Sequence, residues 1–105
     1  MAIFELRTYT LKTGMLHPYL KLYHDAAMDI HVRHLGPSLG WWYTDIGPLN
    51  ELVMLWRYDS FEEREARRAR LMADPDWLAF LPRTGDYIAS QDNRIMKAAF
   101  FSPMQ

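Results

Sequence analysis

Residues 51 to 59 read ELVMLWRYD, and no other stretch of the chain limits its fold so tightly. On an extended backbone Leu52, Met54, Trp56 and Tyr58 point one way, and Val53 and Leu55 point the other. A strand that is apolar on both sides belongs inside a sheet with both faces covered. It follows SLGWWYTDI (38–46), a second strand, across the connection GPLN. Two such runs so closely joined form an antiparallel hairpin.

The flanking segments complete the pattern. AIFELRTYTL (2–11) is rich in β-branched and aromatic residues and reads as a strand, broken at Thr13-Gly14. From Met15 to about Leu35 the period changes, with Leu16, Leu20, Tyr23, Ala27 and Ile30 making a helical stripe. Pro18 falls in its first turn and Gly36-Pro37 ends it. Ser60 and Glu63 form a capping box for a second helix running to about Met72. Phe61, Ala66, Ala69 and Met72 suggest its buried edge. Arg64, Arg67, Arg68 and Arg70 read as a solvated face balanced by Glu62, Glu63 and Glu65. Asp74-Pro75 restarts a short helical piece carrying Trp77, Phe80 and Leu81, and QDNRIMKAAFF (91–101) reads as the fourth strand.

The order strand, helix, strand, strand, helix, strand predicts a single α+β domain over residues 1–105. It is a ferredoxin-like βαββαβ fold, with a four-stranded antiparallel sheet and its helices on one face. The other face then needs a cover for Val53 and Leu55. The expected cover is the same face of a second copy, making a homodimer sheet to sheet. The competing cover is the tail, with Phe100, Phe101 and Met104 folded back over the sheet.

Composition narrows the function classes. Twelve basic residues against thirteen acidic give a net charge of −1, too little positive charge to hold a phosphate backbone, so no nucleic-acid partner is expected. The absence of cysteine removes disulfides, thiolate metal sites and cysteine nucleophiles. No apolar run approaches membrane-spanning length and the first residues do not resemble a signal peptide, so a cytoplasmic protein without a membrane partner is expected. No phosphate-binding glycine loop, nucleophile elbow or dinucleotide fingerprint is present.

ELRTYTLKTG (5–14), LGWWYTDIGPLNELVMLWRYDSFEERE (39–65), ADPDWLAFL (73–81) and SQDNRIM (90–96) together resemble a NIPSNAP domain, in order and along essentially the whole chain. The resemblance implies a dimeric α/β barrel, in agreement with the strand order read from the residues. The wider superfamily it implies includes cofactor-free oxygenases of the antibiotic-biosynthesis type, lactone isomerases and haem enzymes, whereas NIPSNAP domains themselves have no agreed chemistry.

Three groups of side chains are candidates for function. Glu5, Arg7 and Tyr9 share one side of an interior strand, with Arg57 and Arg94 as expected counter-charges. They form either an ion-pair network that fixes register or the polar floor of a pocket, with Arg7 holding an anionic group and Tyr9 donating a proton. Among His17, His24, His31 and His34, the pair His24 and His31 flanks the apolar stripe on a straight helix. His31 and His34 lack a third ligand at metal-binding spacing, so no metal and no cofactor is expected. The aromatic group Tyr9, Tyr23, Trp41, Trp42, Tyr43, Trp56 and Tyr58 is either core and dimer packing or the wall of a pocket.

The expected function is binding of a small apolar or aromatic molecule between the sheet and the first helix, with Arg7, Trp56 and Arg94 as substrate contacts. A cofactor-free oxygenase or isomerase is the alternative, with His24 or His31 paired to Tyr9 or Tyr43 as acid and base. A third possibility is a pure interaction module with no enclosed cavity.

Overall fold

A computed structural model describes all 105 residues. Its elements are β1 (Ile3–Leu11), α1 (Leu16–Ala26), α2 (Met28–Leu35), β2 (Gly40–Tyr43), β3 (Glu51–Tyr58), α3 (Phe61–Met72), α4 (Pro75–Phe80), a 3-10 turn (Leu81–Asp86) and β4 (Ile88–Met96). The four strands form one antiparallel sheet in the order β2-β3-β1-β4, with the first and third strands at its centre. This is the expected ferredoxin-like α+β arrangement.

Register assigns the two faces. Glu5 lies opposite Trp56 and Arg7 opposite Met54, so these four share the helix side with Tyr9, Leu52 and Tyr58. Leu6 lies opposite Leu55 and Arg94, and Thr8 opposite Val53 and Asp92, so these six share the other side. On the helix side Leu52, Met54, Trp56 and Tyr58 pack with Tyr19, Tyr23, Leu35, Leu71, Trp77 and Phe80 into the main core.

Local chemistry sets the element ends. The Ser60 hydroxyl accepts from the Glu63 amide at 3.0 Å, while the Glu63 carboxylate accepts from the Asp59 amide at 2.6 Å. Asp74 caps α4 by accepting from the Asp76 amide at 2.8 Å, with Pro75 in the first turn. The Ser38 hydroxyl accepts from the Gly40 amide at 2.9 Å and has the Gly40 and Leu55 carbonyls as acceptors within reach of its one proton, and β2 starts at Gly40 rather than residue 38. The Trp42 indole lies over Gly40, where an added Cβ would meet its ring at 2.4 Å. β4 pairs Met96 with Phe4, near the start of β1, so the strand ends at Met96 and not at residue 101.

Two larger departures bear on function. The first helix is not continuous: at Ala27 the backbone leaves helical geometry (φ −127°, ψ −33°) and α2 starts afresh. The second helix is rotated from its expected face. Leu71 is buried and Arg64 and Arg68 are half-buried, whereas Phe61, Ala66, Ala69 and Met72 are exposed. The reason is Glu5, which needs cations from the helix layer more than α3 needs to bury two alanines.

The face without helices is only partly covered. The tail shelters Phe4, and Arg57 Nε donates to the Gln105 carbonyl at 2.9 Å. Phe100 and Phe101 nevertheless stay 95% and 75% exposed, and Trp42 is 53% exposed.

Gly36 ends α2 at φ 85° and ψ −177°, a region essentially closed to side chains. A Cβ there would also stand 2.4 Å from Arg67 Nη1, which donates to the Leu35 carbonyl. Gly36→Ala is therefore expected to destabilise the fold by about 1–3 kcal/mol in denaturant unfolding. Gly85→Ala, where the added Cβ meets nothing within 4 Å, is the matched control.

Candidate functional site

Glu5 is the organising group on the helix side of the sheet. It sits on the central strand with 0% exposure, and an isolated carboxylate there would be costly. Its Oε2 accepts from Arg7 Nη1 at 3.1 Å, Arg64 Nη2 at 2.8 Å and Asn93 Nδ2 at 2.7 Å. Burial pushes the carboxyl pKa up, but the hydrogen bonds from Arg64 and Asn93 and the charges of Arg7 and Arg64 outweigh it. The carboxyl is held below its usual range. Arg57 and Arg94, the counter-charges expected from the sequence, are not involved. Their register partners Phe4 and Leu6 place them on the opposite face, where Arg57 pairs with Asp59 at 2.7 Å.

Beside this cluster lies an aromatic relay. Trp41 Nε1 can only donate, so the Tyr23 hydroxyl oxygen accepts from it at 3.2 Å. The same hydroxyl is hydrogen-bonded to His31 Nδ1, 2.6 Å away, so Tyr23 links the indole to the imidazole. His31 is 1% exposed, stacked on Trp77 (centroids 4.8 Å, 16° between planes) and edge-on to Trp56 at 4.9 Å. Burial, then the positive charges of Arg7 and Arg68, push its pKa down to about 3. Burial pushes the Tyr23 phenol up. At neutral pH both partners are uncharged, in a fixed donor–acceptor pair.

The sequence candidates separate. Arg7, Tyr9, Trp56 and His31 share the helix side of the sheet, and Arg7 lies 5.9 Å from the Tyr9 ring centre. His24 does not join them: the break at Ala27 lies between it and His31, and His24 is exposed against Asp25 at 3.0 Å. Tyr43 is half-exposed and edge-on to His17 at 5.5 Å. Arg94 points from the opposite face, largely exposed. The pairing of Tyr23 with His31 was not expected, because eight residues along a straight helix stand about 12 Å apart along its axis. Arg64 and Arg68 were missed as site residues as well. The available signal was Glu5 itself, a carboxylate facing the helix layer with cations four residues apart on the helix above it. His34, also exposed to solvent in part, ties α2 to the start of α4 through Asp74 at 2.7 Å.

Two apolar hollows flank these groups. One, of about 190 Å³, opens between α1 and the sheet and is lined by Leu20, Tyr23, His24, Met28, Trp41 and Leu52. The other, of about 420 Å³, lies on the helix-free face between the sheet and the tail, and includes Phe4, Leu55, Met96, Phe101 and Met104. No cluster of three or more histidine, aspartate or glutamate side chains has metal-binding geometry, and no helix is long and apolar enough to cross a membrane.

Residues 4–103 match the family model described as NIPSNAP. The chain is 32% identical over 108 aligned residues to human Protein NipSnap homolog 3B, covering 98% of this chain and 42% of that protein. It is 30% identical over 97 residues to Protein NipSnap homolog of Dictyostelium discoideum, covering 88% and 40%. The chain thus spans about two-fifths of the length of these curated relatives. Among solved structures, a NIPSNAP family protein of unknown function from Agrobacterium tumefaciens superposes with a TM-score of 0.93 at 47% identity, covering 99% of this chain and 94% of that one. A provisional antibiotic biosynthesis monooxygenase from Nitrosomonas europaea superposes with a TM-score of 0.67 at 10% identity, covering 96% and 93%. That last likeness is one of fold alone.

The depressed His31 pKa gives stability a sign with pH. Between its ordinary 6.5 and about 3, the unfolded chain binds a proton that the native state refuses, so stability falls as pH falls through that window. Between about pH 7 and pH 5 this histidine accounts for a loss of about 2 kcal/mol. His31→Gln is expected to remove that part of the pH dependence, read as the difference between urea unfolding free energies at the two pH values.

Proposed function

The chain belongs to the NIPSNAP family, and we propose that it acts as a homodimeric binding protein for a small apolar or aromatic molecule. The ligand sits in the cleft between α1 and the sheet. The observation that carries this reading is the chemistry of the cleft wall. Leu20, Met28 and Leu52 supply apolar surface, and the Trp41 indole and Tyr23 ring are held in place by their hydrogen bonds to each other and to His31. A wall locked from behind loses little side-chain freedom when a ligand arrives. Its volume of about 190 Å³ suits one ring or a short chain, since an apolar cavity of roughly 150 Å³ holds benzene.

The catalytic alternative has weaker support. His31 is sealed under Trp77 and Trp56 with its Nδ1 occupied by Tyr23, and His24, at the exposed rim of the cleft, is paired with Asp25 and has no acid or base partner within it. Binding without turnover needs none of these groups to reach a substrate.

The helix-free face supports the dimer. Leu6, Val53 and Leu55 are only half-covered by their own chain, Trp42 and Met96 are exposed, and the hollow beside the tail adds further apolar surface. Burying a side chain of this kind contributes roughly 1.5–3 kcal/mol, against a total stability of about 5–15 kcal/mol for a typical domain. A twin face supplies the missing contacts, with each strand alternating core on one side and interface on the other.

Two measurements check these statements. At micromolar concentration the protein should sediment at twice its chain mass of 12.5 kDa, and Leu55→Glu should sediment as a single folded chain. Wild-type protein that sediments as one chain contradicts the dimer. In a titration with indole or phenol, the indole N–H resonance of Trp41 should shift saturably, and Met28→Trp, which fills the cleft, should abolish the shift. An unmoved Trp41 resonance contradicts the cleft as the site.

A further inference from the structure

We infer that Arg7, Arg64 and Arg68 form a second site, for a small monocarboxylate, entered over the helix-facing side of β4. It shares no residue with the apolar cleft and does not depend on it.

The inference starts from unequal pairing. Two guanidiniums, Arg7 and Arg64, and the Asn93 amide crowd onto Glu5 Oε2, and the charge of Arg68 interacts with the same Arg7, Arg64 and Glu5. Arg64 also donates to the exposed Glu65 at 2.6 Å. Two carboxylates therefore serve two of the arginines, and Arg68 is left over. Arg68 forms no ion pair, and its Nη1 is buried without a partner; the Nε of Arg7 and the Nε of Arg64 are buried and unpartnered too. Burial and the nearby charge of Arg7 lower the Arg68 pKa, as befits a cation in surplus. The Tyr58 hydroxyl is another buried, unpartnered group, and with its pKa pushed up to about 12 it keeps its proton and offers one more donor. Unpaired donors on buried cations are costly, and what would satisfy them is an acceptor with negative charge.

A planar carboxylate matches the guanidinium fork. One charge on the ligand balances the one surplus cation. Glu5 Oε1 is also free to accept, so a hydroxyl on the ligand would find a partner there. The side toward solvent is β4: Gln91, Asn93 and Ile95, its helix-facing residues, are all exposed, and the Asn93 amide, which reaches Glu5 Oε2, lies between solvent and the cluster. Arg7 and Arg64 side chains keep 12% and 14% exposure. Ile95 supplies apolar surface on that approach for the body of a short-chain acid.

The test uses the full chain with acetate, butyrate and neutral butyramide, at ionic strength held constant with potassium chloride. Acetate and butyrate should raise the unfolding temperature saturably and butyramide should not. Arg68→Gln should weaken both carboxylates about tenfold or more, the loss expected for a charged hydrogen bond. Ile95→Ser should weaken butyrate and leave acetate unchanged. On wild-type protein, the Nε–H resonances of Arg7 and Arg64 should shift with acetate, a readout independent of how any variant folds. Absence of saturable stabilisation, equal stabilisation by butyramide, undiminished binding by Arg68→Gln, or unmoved arginine resonances would each overturn the site.

Discussion

A carboxylate with no solvent exposure, at the centre of the sheet, is the constraint on which the helix layer depends. Glu5 stands on β1 between β3 and β4, opposite Trp56 on one side and Ile95 on the other. Left alone it would be neutral or the fold would be unstable. Arg7 from its own strand, Arg64 from α3 and Asn93 from β4 converge on it and tie three parts of the chain together. The orientation of α3 is a consequence. The helix turns Arg64 and Arg68 inward beside Leu71 and leaves two alanines in water.

The sheet thereby does different work on its two sides. Toward the helices it carries charge and aromatic rings, beside the apolar cleft and the arginine cluster. Toward the bare face it carries Leu6, Val53, Leu55, Trp42 and Met96, interspersed with the polar residues Thr8, Arg57, Asp92 and Arg94. Alternation along β3 is what allows one short strand to serve both. Apolar area suits association of two copies, whereas the charge cluster and the locked aromatic wall suit small molecules. The likeness to monooxygenase-type structures speaks to this architecture and carries no chemistry with it.

The backbone plan was legible in the sequence. Alternation in residues 3–11 and 51–58, the Ser60 and Asp74 caps, and the turns at Gly36 and GPLN sufficed for element order and sheet topology, since each is a local signal. The site was less legible, because its members meet through tertiary geometry. His24 and His31 looked equivalent on a straight helix, and the break at Ala27 makes one a surface group and the other a core group. Arg64 and Arg68 looked like solvated charge because EEREARRAR is balanced within itself. Only the inward direction of Glu5 reveals why two of those arginines turn inside. The end of β4 was misplaced for a related reason: its length follows from β1, its hydrogen-bonding neighbour, and its own residues do not mark the stop.

The most direct check on this account is the ionisation of Glu5 itself, followed through its carboxyl carbon by NMR as pH is lowered. If the surrounding guanidiniums and Asn93 outweigh burial, the carboxyl stays ionised until the pH is below its ordinary 4.5. A Glu5 that takes up its proton above that value would mean that burial dominates. The cluster would then be held together by something other than charge.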